Sequence, residues 1–491
     1  IQHGGVVLGL RGLADHAFIG APMQSNGYLH RLQVDQNYSA VTAACLMIRT
    51  ELYRQVGGMD EINLGVSYND VDLCLKVCQA GQLIVWTPYA VLMHEANVSQ
   101  NKVDKTKLKA KQERFKREQS VMYKNWLPRL ASDPAYNPNL TLEGGGFGYE
   151  CRSEVAWEPL AGRSLPYALC CPADAFGSGN YRVRQPFAAL EAARLIEGTI
   201  SDGLLHPVEL HRLAPDTIIF QRQCTTPQLE TIQNTKAFSR AFKVYELDDY
   251  ILKIPSSNPS RELFPKDIAK RLKKAVGMCD RLVVSTQPLA SALKGFNADI
   301  RVVENRLPSQ WWSGLMSYRQ QGRKPRVGWA GGSSHSGDLQ VIADVVRELA
   351  GEVEWVFMGM CPPELRPYVH EFHKGVNIEK YPARLADLNL DLALAPLEDN
   401  FFNACKSNLR LLEYGACGFP VICSDILCYR GDLPVTRVQN TSKDWIAAIR
   451  EHLAEPRASA VAGDALRSAV VDKWMLRDEH LVAWRNAWFR D

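Results

Sequence analysis

The residues of this chain best suited to chemistry lie between 402 and 424, Phe-Asn-Ala-Cys-Lys-Ser-Asn-Leu-Arg-Leu-Leu-Glu-Tyr-Gly-Ala-Cys-Gly-Phe-Pro-Val-Ile-Cys-Ser. Lys406, Ser407 and Asn408 read as the opening of a helix after a polar loop, and Gly418 and Pro420 as the break before a buried strand. On that helix Leu409, Leu412 and Ala416 share one face, while Lys406, Arg410 and Glu413 share the opposite one. Free N–H groups at a helix start, with a lysine and an arginine beside them, suit a diphosphate. A carboxylate further in, Glu413, suits a pair of ribose hydroxyls. An ordinary amphipathic helix of an α/β domain would show the same spacing.

Two further stretches carry polar groups at the ends of apolar runs. Arg326-Val-Gly-Trp-Ala-Gly-Gly-Ser-Ser-His335 is a strand running into a glycine pair, with a helix expected from Asp338. Glycines there let the backbone approach a phosphate closely, and the helix N-terminus adds a favourable field. Glu246-Leu-Asp-Asp249 closes another strand with three carboxylates in four residues. Acids at the carboxyl end of a strand face the cleft in open α/β sheets, where they serve as a base or hold sugar hydroxyls. Capping of the following turn is the alternative.

These residues need a scaffold of strands and helices, and three parts are visible. Residues 1–100 alternate short apolar strands (5–10, 41–48, 83–86) with polar loops and one helix near 70–80. A basic helical bridge and linker spans 101–163, with Lys102, Lys105, Lys107, Lys109, Lys111, Arg114, Lys116 and Arg117. Such a run either lies on an anionic membrane surface or is a solvated helix face. From 164 the pattern becomes strand, loop and helix, which reads as βαβ units and parallel sheet. Strands are expected at 167–171, 217–221, 242–247, 281–285, 301–304, 326–329, 354–358, 376–379, 390–395 and 420–423. A seam near 306–324 divides them into domains 164–310 and 311–491, with a cleft between.

Composition narrows the class. Of 491 residues, 46% are hydrophobic and 23% charged, as in globular protein, and Lys+Arg 57 against Asp+Glu 54 leaves +3, too balanced to argue for nucleic acid. No run approaches the length of a membrane span, and no signal peptide opens the chain. It starts at Ile1 in strand-like sequence, which reads as a fragment or a processed product. Thirteen scattered cysteines without a Cys-x-x-Cys pair, several inside apolar runs (Cys45, Cys74, Cys423), fit a reduced, cytoplasmic setting.

The 402–424 stretch resembles the nucleotide-sugar site of family-4-like, GT-B glycosyltransferases, whose pattern places a glutamate before a small-residue run ending Gly-x-Pro-Val. The resemblance implies two Rossmann-like domains. On the donor side it implies Gly331, Gly332, Ser333 and His335 together with Lys406, Ser407, Asn408, Arg410 and Glu413. His335 reads equally as a loop histidine capping a helix. On the acceptor side it implies Gly179, Asn180 and Arg182 of Gly177-Ser-Gly-Asn-Tyr-Arg-Val-Arg184, and Asn305, with Asp248 or Asp249 catalytic. Many retaining relatives have a glutamate eight positions before Glu413; here it is Cys405. No cofactor is expected for this unit.

Residues 1–100 resemble the C-terminal half of a family-2, GT-A, inverting glycosyltransferase of the rhamnosyltransferase-like kind. The matching blocks are Ile1–Gly9, Val41–Arg49, Val56–Glu61, Tyr68–Leu75 and Trp86–Glu95, and Asp133–Leu142 resembles the tail of these enzymes. The resemblance implies Asp70 as general base, with Asn69 where relatives have Glu. His94 becomes a ligand of a divalent metal (Mg or Mn) only if a nucleotide-binding half with its Asp-x-Asp precedes Ile1. Together the resemblances imply part of a tandem glycosyltransferase of surface polysaccharide, O-antigen or capsule-like. It would use a nucleotide-diphosphate sugar and a glycan or lipid-linked glycan acceptor, with no nucleic acid. It would be cytoplasmic, with peripheral membrane contact through 101–118 as an option. A nucleotide-sugar epimerase on the same fold and a non-catalytic glycan- or nucleotide-binding scaffold remain the alternatives.

Overall fold

The structure is a computed structural model and describes residues 1–93, 105–152, 155, 162–319 and 323–490. It divides into two compact units. One comprises 1–163 with 204–215 and 230–240; the other comprises 164–203, 216–229 and 241–491.

The first unit holds two small antiparallel sheets, β1 (Val6–Leu8) with β2 (Ala14–His16) and β3 (Gln36–Tyr38) with β4 (Ile84–Trp86). Helices Asn69–Gln79 and Lys105–Ala131 supply the rest of its core, where Val71, Cys74 and Leu75 meet Met122, Trp126 and Leu130. Asp133, half-buried, accepts from Leu8 N of β1 at 2.8 Å and from the hydroxyl of Ser39, just after β3, at 2.5 Å. No strand forms over 41–48. Thr42 caps a single 3₁₀ turn, Ala43–Cys45, whose first amide goes to Asp70, and Cys45 is exposed.

The second unit is built on two six-stranded parallel sheets. The first contains β5 (Tyr167–Cys171), β6 (Glu197–Ile200), β7 (Thr217–Gln221), β8 (Phe242–Leu247), β9 (Arg281–Val284) and β10 (Ile300–Val302), in the order β10-β9-β8-β7-β5-β6. The second contains β11 (Arg326–Ala330), β12 (Glu354–Gly359), β13 (Glu371–Lys374), β14 (Leu392–Ala395), β15 (Val421–Ser424) and β16 (Thr436–Val438), in the order β13-β12-β11-β14-β15-β16. These are the two expected Rossmann-like domains. Inner strands β5, β7, β9, β14 and β15 are buried along their whole length, as parallel strands covered on both faces must be.

The expected strand at 376–379 is displaced to β13, and β6 and β16 add strands that the apolar pattern did not show. All three are sheet edges, half-exposed, so they lack the continuous apolar run of an inner strand. The closing helix, Glu479–Trp488, returns to the first sheet. There Trp484 and Trp488 pack with Val183, Phe187 and Val283.

Candidate functional site

Each sheet changes direction once, the first between β5 and β7 and the second between β11 and β14. Loops leaving the carboxyl ends of strands at such a point diverge and open a crevice. The segments after β5, β8, β10, β11, β13 and β14 line a cavity of about 560 Å³. From the first sheet come Ser178, Tyr181, Asp248, Asp249 and Asn305. From the second come Gly331, Gly332, His335, Lys406, Ser407, Arg410 and Glu413. The structure therefore gathers most of the residues singled out from the GT-B pattern around one space.

The segment before the key helix is more ordered than a polar loop. Asn400 caps a short helix, Phe401–Ala404, and the main helix runs from Leu409 to Ala416 with Lys406–Asn408 in the turn before it. No side chain caps its first turn, so early amides stay available near Lys406. The Lys406 ammonium has no hydrogen-bond or ion-pair partner among the described residues and lies 5.0 Å from the Phe402 ring centre. Leu411, Leu412, Tyr414 and Ala416 are fully buried. Gly415 lets the helix pack closely, since a Cβ there would meet Val470 at 2.8 Å.

Arg410 is already occupied. Its guanidinium donates to the Ala330 carbonyl, lies 3.1 Å from His335 Nε2 and stacks over Trp329 at 5.3 Å. Gly331 makes this possible: a Cβ there would stand 2.7 Å from Arg410 Nη1 and 2.6 Å from the Trp329 ring. At Gly332 nothing lies within 4 Å, so the loop backbone is open to the cavity. Arginine has no acceptor, so His335 Nε2 accepts and Nδ1 carries the proton, donated to Asp338 Oδ2 at 2.7 Å. Burial, with Lys406 and Arg410 nearby, pushes the histidine pKa down to about 3. Asp338 in turn takes Glu398 N and Asn403 Nδ2, both at 2.9 Å, wiring the glycine loop to the segment ahead of the key helix.

Glu413 is buried between two phenols, Tyr181 at 2.8 Å on Oε1 and Tyr381 at 3.1 Å on Oε2. Burial raises its pKa against the pull of Arg410 and the two hydroxyls. Asn305 bridges the domains by donating to Ser407 Oγ at 2.9 Å, and Thr286 does so by donating to the Cys405 carbonyl at 2.7 Å. Asp248 accepts the Ser178 hydroxyl, and burial followed by the charge of Asp248 raises the pKa of Asp249.

Five expected residues do not line the cavity. Gly177–Arg184 is helical, including a π-turn over Asn180–Arg184, so successive residues point different ways. Gly177, Ser178 and Tyr181 face the space. Gly179 packs under Asp174, Asn180 bonds back to Ala175 O and Phe176 O, and Arg182 is fully buried. Arg182 pairs with Glu246 at 2.7 Å, donates to Asn305 Oδ1 at 2.9 Å and stacks on Trp484, which also turns Glu246 away from the cleft. Ser333 is exposed and Ser334 lines the cavity in its place, while Asn408 stays in the turn. Sequence reasoning missed Tyr181, Tyr381, Ser178 and Asp338. A tyrosine in an apolar stretch and a serine beside glycines carry no distinguishing spacing.

In the other unit Asp70 starts the Asn69–Gln79 helix and accepts Ala43 N at 3.1 Å. Asp72 is buried against Lys76 at 2.6 Å and Trp126 Nε1 at 2.8 Å. His94 lies outside the described residues. Among the described residues no group of three or more His, Cys, Asp or Glu could hold a metal ion, and no helix is long and apolar enough to cross a membrane.

No family model matches the chain. Over 147 residues, 30% of the chain, it is 48% identical to the uncharacterized protein y4gI of Sinorhizobium fredii, covering 16% of that protein. Over 188 residues, 38% of the chain, it is 31% identical to the O-antigen biosynthesis protein RfbC of Myxococcus xanthus, covering 14% of it. The chain thus spans only a small part of the curated relatives it matches. Among solved structures it is similar to a sucrose-phosphate synthase from Thermosynechococcus elongatus, with TM-score 0.46, 13% identity, 65% of this chain and 96% of that one. Anabaena HepE in complex with UDP and glucose gives 0.44, 12%, 65% and 97%. TarM gives 0.44, 13%, 57% and 57%.

Proposed function

We propose that this chain is part of a glycosyltransferase that moves a sugar from a nucleotide-diphosphate donor to a growing surface polysaccharide. The observation that carries the reading is the single cavity at the turning points of both sheets. It joins a lysine whose ammonium has no partner among the described residues, an open glycine loop and a buried carboxylate on one wall to a pair of aspartates on the other. Lys406 and the first turn of the Leu409–Ala416 helix neutralise the leaving diphosphate by position and charge. Glu413 takes the ribose hydroxyls on lone pairs that the phenols leave free. Asp248 and Asp249 face the acceptor.

The short match to an O-antigen biosynthesis protein supports a glycan or lipid-linked glycan as acceptor. Exposed Lys109, Lys116 and Arg117 on the Lys105–Ala131 helix fit contact with an anionic lipid surface at the cytoplasmic side. The GT-B unit works without metal in this reading, while an intact GT-A domain, with Asp70 as base, would take a divalent ion at His94. Calorimetric titration with a panel of nucleotides and nucleotide sugars, with and without Mn²⁺, tests it. One nucleoside diphosphate should bind without metal and be lost in Glu413→Ala; absence of any nucleotide binding would favour the scaffold reading.

A further inference from the structure

A serine at the start of a helix ordinarily turns its oxygen to an amide of the first turn. Ser407, in the turn before the Leu409–Ala416 helix, does not. Its oxygen accepts Asn305 Nδ2 at 2.9 Å instead, from the segment after β10 in the first domain. Ser407 lines the cavity next to Lys406, and no described residue accepts its hydroxyl proton.

Asn305 cannot make this bond the other way round. It is buried, and its amide oxygen accepts Arg182 Nη1 at 2.9 Å. Arginine only donates, so the oxygen must face Arg182 and the nitrogen must face Ser407. Arg182 is itself held fast. Fully buried, it pairs with Glu246 at 2.7 Å, donates to the Val303 carbonyl and stacks over Trp484 at 4.6 Å. Hydrogen-bond direction therefore runs one way, from guanidinium to amide to hydroxyl. The Ser407 proton cannot return to the amide nitrogen and is left for a group in the cavity. Around it stand the Lys406 ammonium and the uncapped first turn of the helix. An oxyanion, which only accepts, matches a set made only of donors.

We propose that Arg182 is a positioning residue: acting through Asn305, it fixes Ser407 as a hydrogen-bond donor to an oxyanion in the cavity. That the anion is the diphosphate of the donor rests on the glycosyl-transfer reading. The donor set is completed across the cleft, because Arg182 and Asn305 belong to the first domain and Ser407 to the second.

The test is calorimetric titration of the full chain with inorganic pyrophosphate, which carries neither base nor sugar. Ser407→Ala should weaken binding by about 10- to 100-fold, the loss of one hydrogen bond to a charged group, and Ser407→Thr should keep most of the affinity. Arg182→Met should weaken it by releasing the amide. If Arg182→Met does not fold, Asn305→Asp takes its place. A carboxylate there has no N–H to give, so the Ser407 proton turns towards it, and binding should fall at least as far as in Ser407→Ala. In the Ser407→Ala background Asn305→Asp should do much less. Losses that simply multiply, an unchanged affinity in Ser407→Ala, or a parent that takes up no pyrophosphate overturns the proposal. Pyrophosphate binding that depends on Ser407, with no nucleotide bound, would refute the transfer reading alone and leave the relay standing.

Discussion

The Tyr181 hydroxyl reaches Glu413 Oε1 at 2.8 Å across 232 residues of chain, joining the helix after β5 to the helix after β14. Tyr381 takes the opposite oxygen. A buried carboxylate held on both oxygens cannot rotate, so the lone pairs left to it face the cavity in a fixed direction.

Tyr181→Phe should therefore cost stability as well as alignment. A hydrogen bond to a charged group contributes about 1.5–3 kcal/mol, and its loss here leaves Glu413 less satisfied in a buried place. Chemical denaturation should show a loss in that range. A variant as stable as the parent would mean that the phenol is not bonded to the carboxylate in solution.

Lys406→Ala should weaken binding of a nucleoside diphosphate by about 10- to 100-fold, the equivalent of one charge-assisted bond, and leave the bare nucleoside almost unaffected. Calorimetry with UDP and uridine separates the two. Equal loss for both would place the lysine away from the phosphates.

The stability of the second unit should fall in acid through His335. Its folded pKa, about 3, lies below the ordinary value of 6.5, so the unfolded chain takes up the proton first. The contribution is complete above about pH 6.5 and is lost as pH falls towards 3, at up to about 1.4 kcal/mol per pH unit. Melting temperature against pH should show a shallower acid limb in His335→Gln. An unchanged limb would mean that the imidazole is protonated in the folded protein.

Arg182 and Glu246 should behave as a buried pair. Arg182→Met alone leaves a carboxylate uncompensated and should cost about 3–5 kcal/mol, whereas adding Glu246→Leu should return much of it. A double-mutant cycle in denaturant measures the coupling. Additive effects would show that the pair is not formed.

Most of the second unit was legible because inner parallel strands announce themselves as short apolar runs, and nine of the ten expected strands coincide with observed ones. Three of the four edge strands do not: Glu197–Ile200 and Thr436–Val438 read as loop and Glu371–Lys374 as polar, because one flank of each is half-exposed. In the site, Lys406, Glu413 and Gly331 were legible because charge at a helix start and paired glycines have few other uses. The acceptor wall was misread by one residue, Gly179, Asn180 and Arg182 in place of Ser178 and Tyr181. A π-turn changes which side chains face outward, and nothing in the local composition marks it. Arg410 was legible as a cation near the site but not as one already bound, since that depends on Ala330, Trp329 and His335, remote in sequence.

The return of the Glu479–Trp488 helix to the first sheet has a consequence for biosynthesis. Thr217 on β7 donates to the Trp488 carbonyl, 271 residues further along. At about 5–20 residues per second, β7 emerges from the ribosome roughly 15 to 50 s before that partner exists. Through that interval the apolar surface of Val183, Phe187 and Val283 lacks its tryptophan cover, while the second sheet is translated. Within this unit the first sheet is thus translated before the second but completed after it, when the Glu479–Trp488 helix supplies its tryptophans.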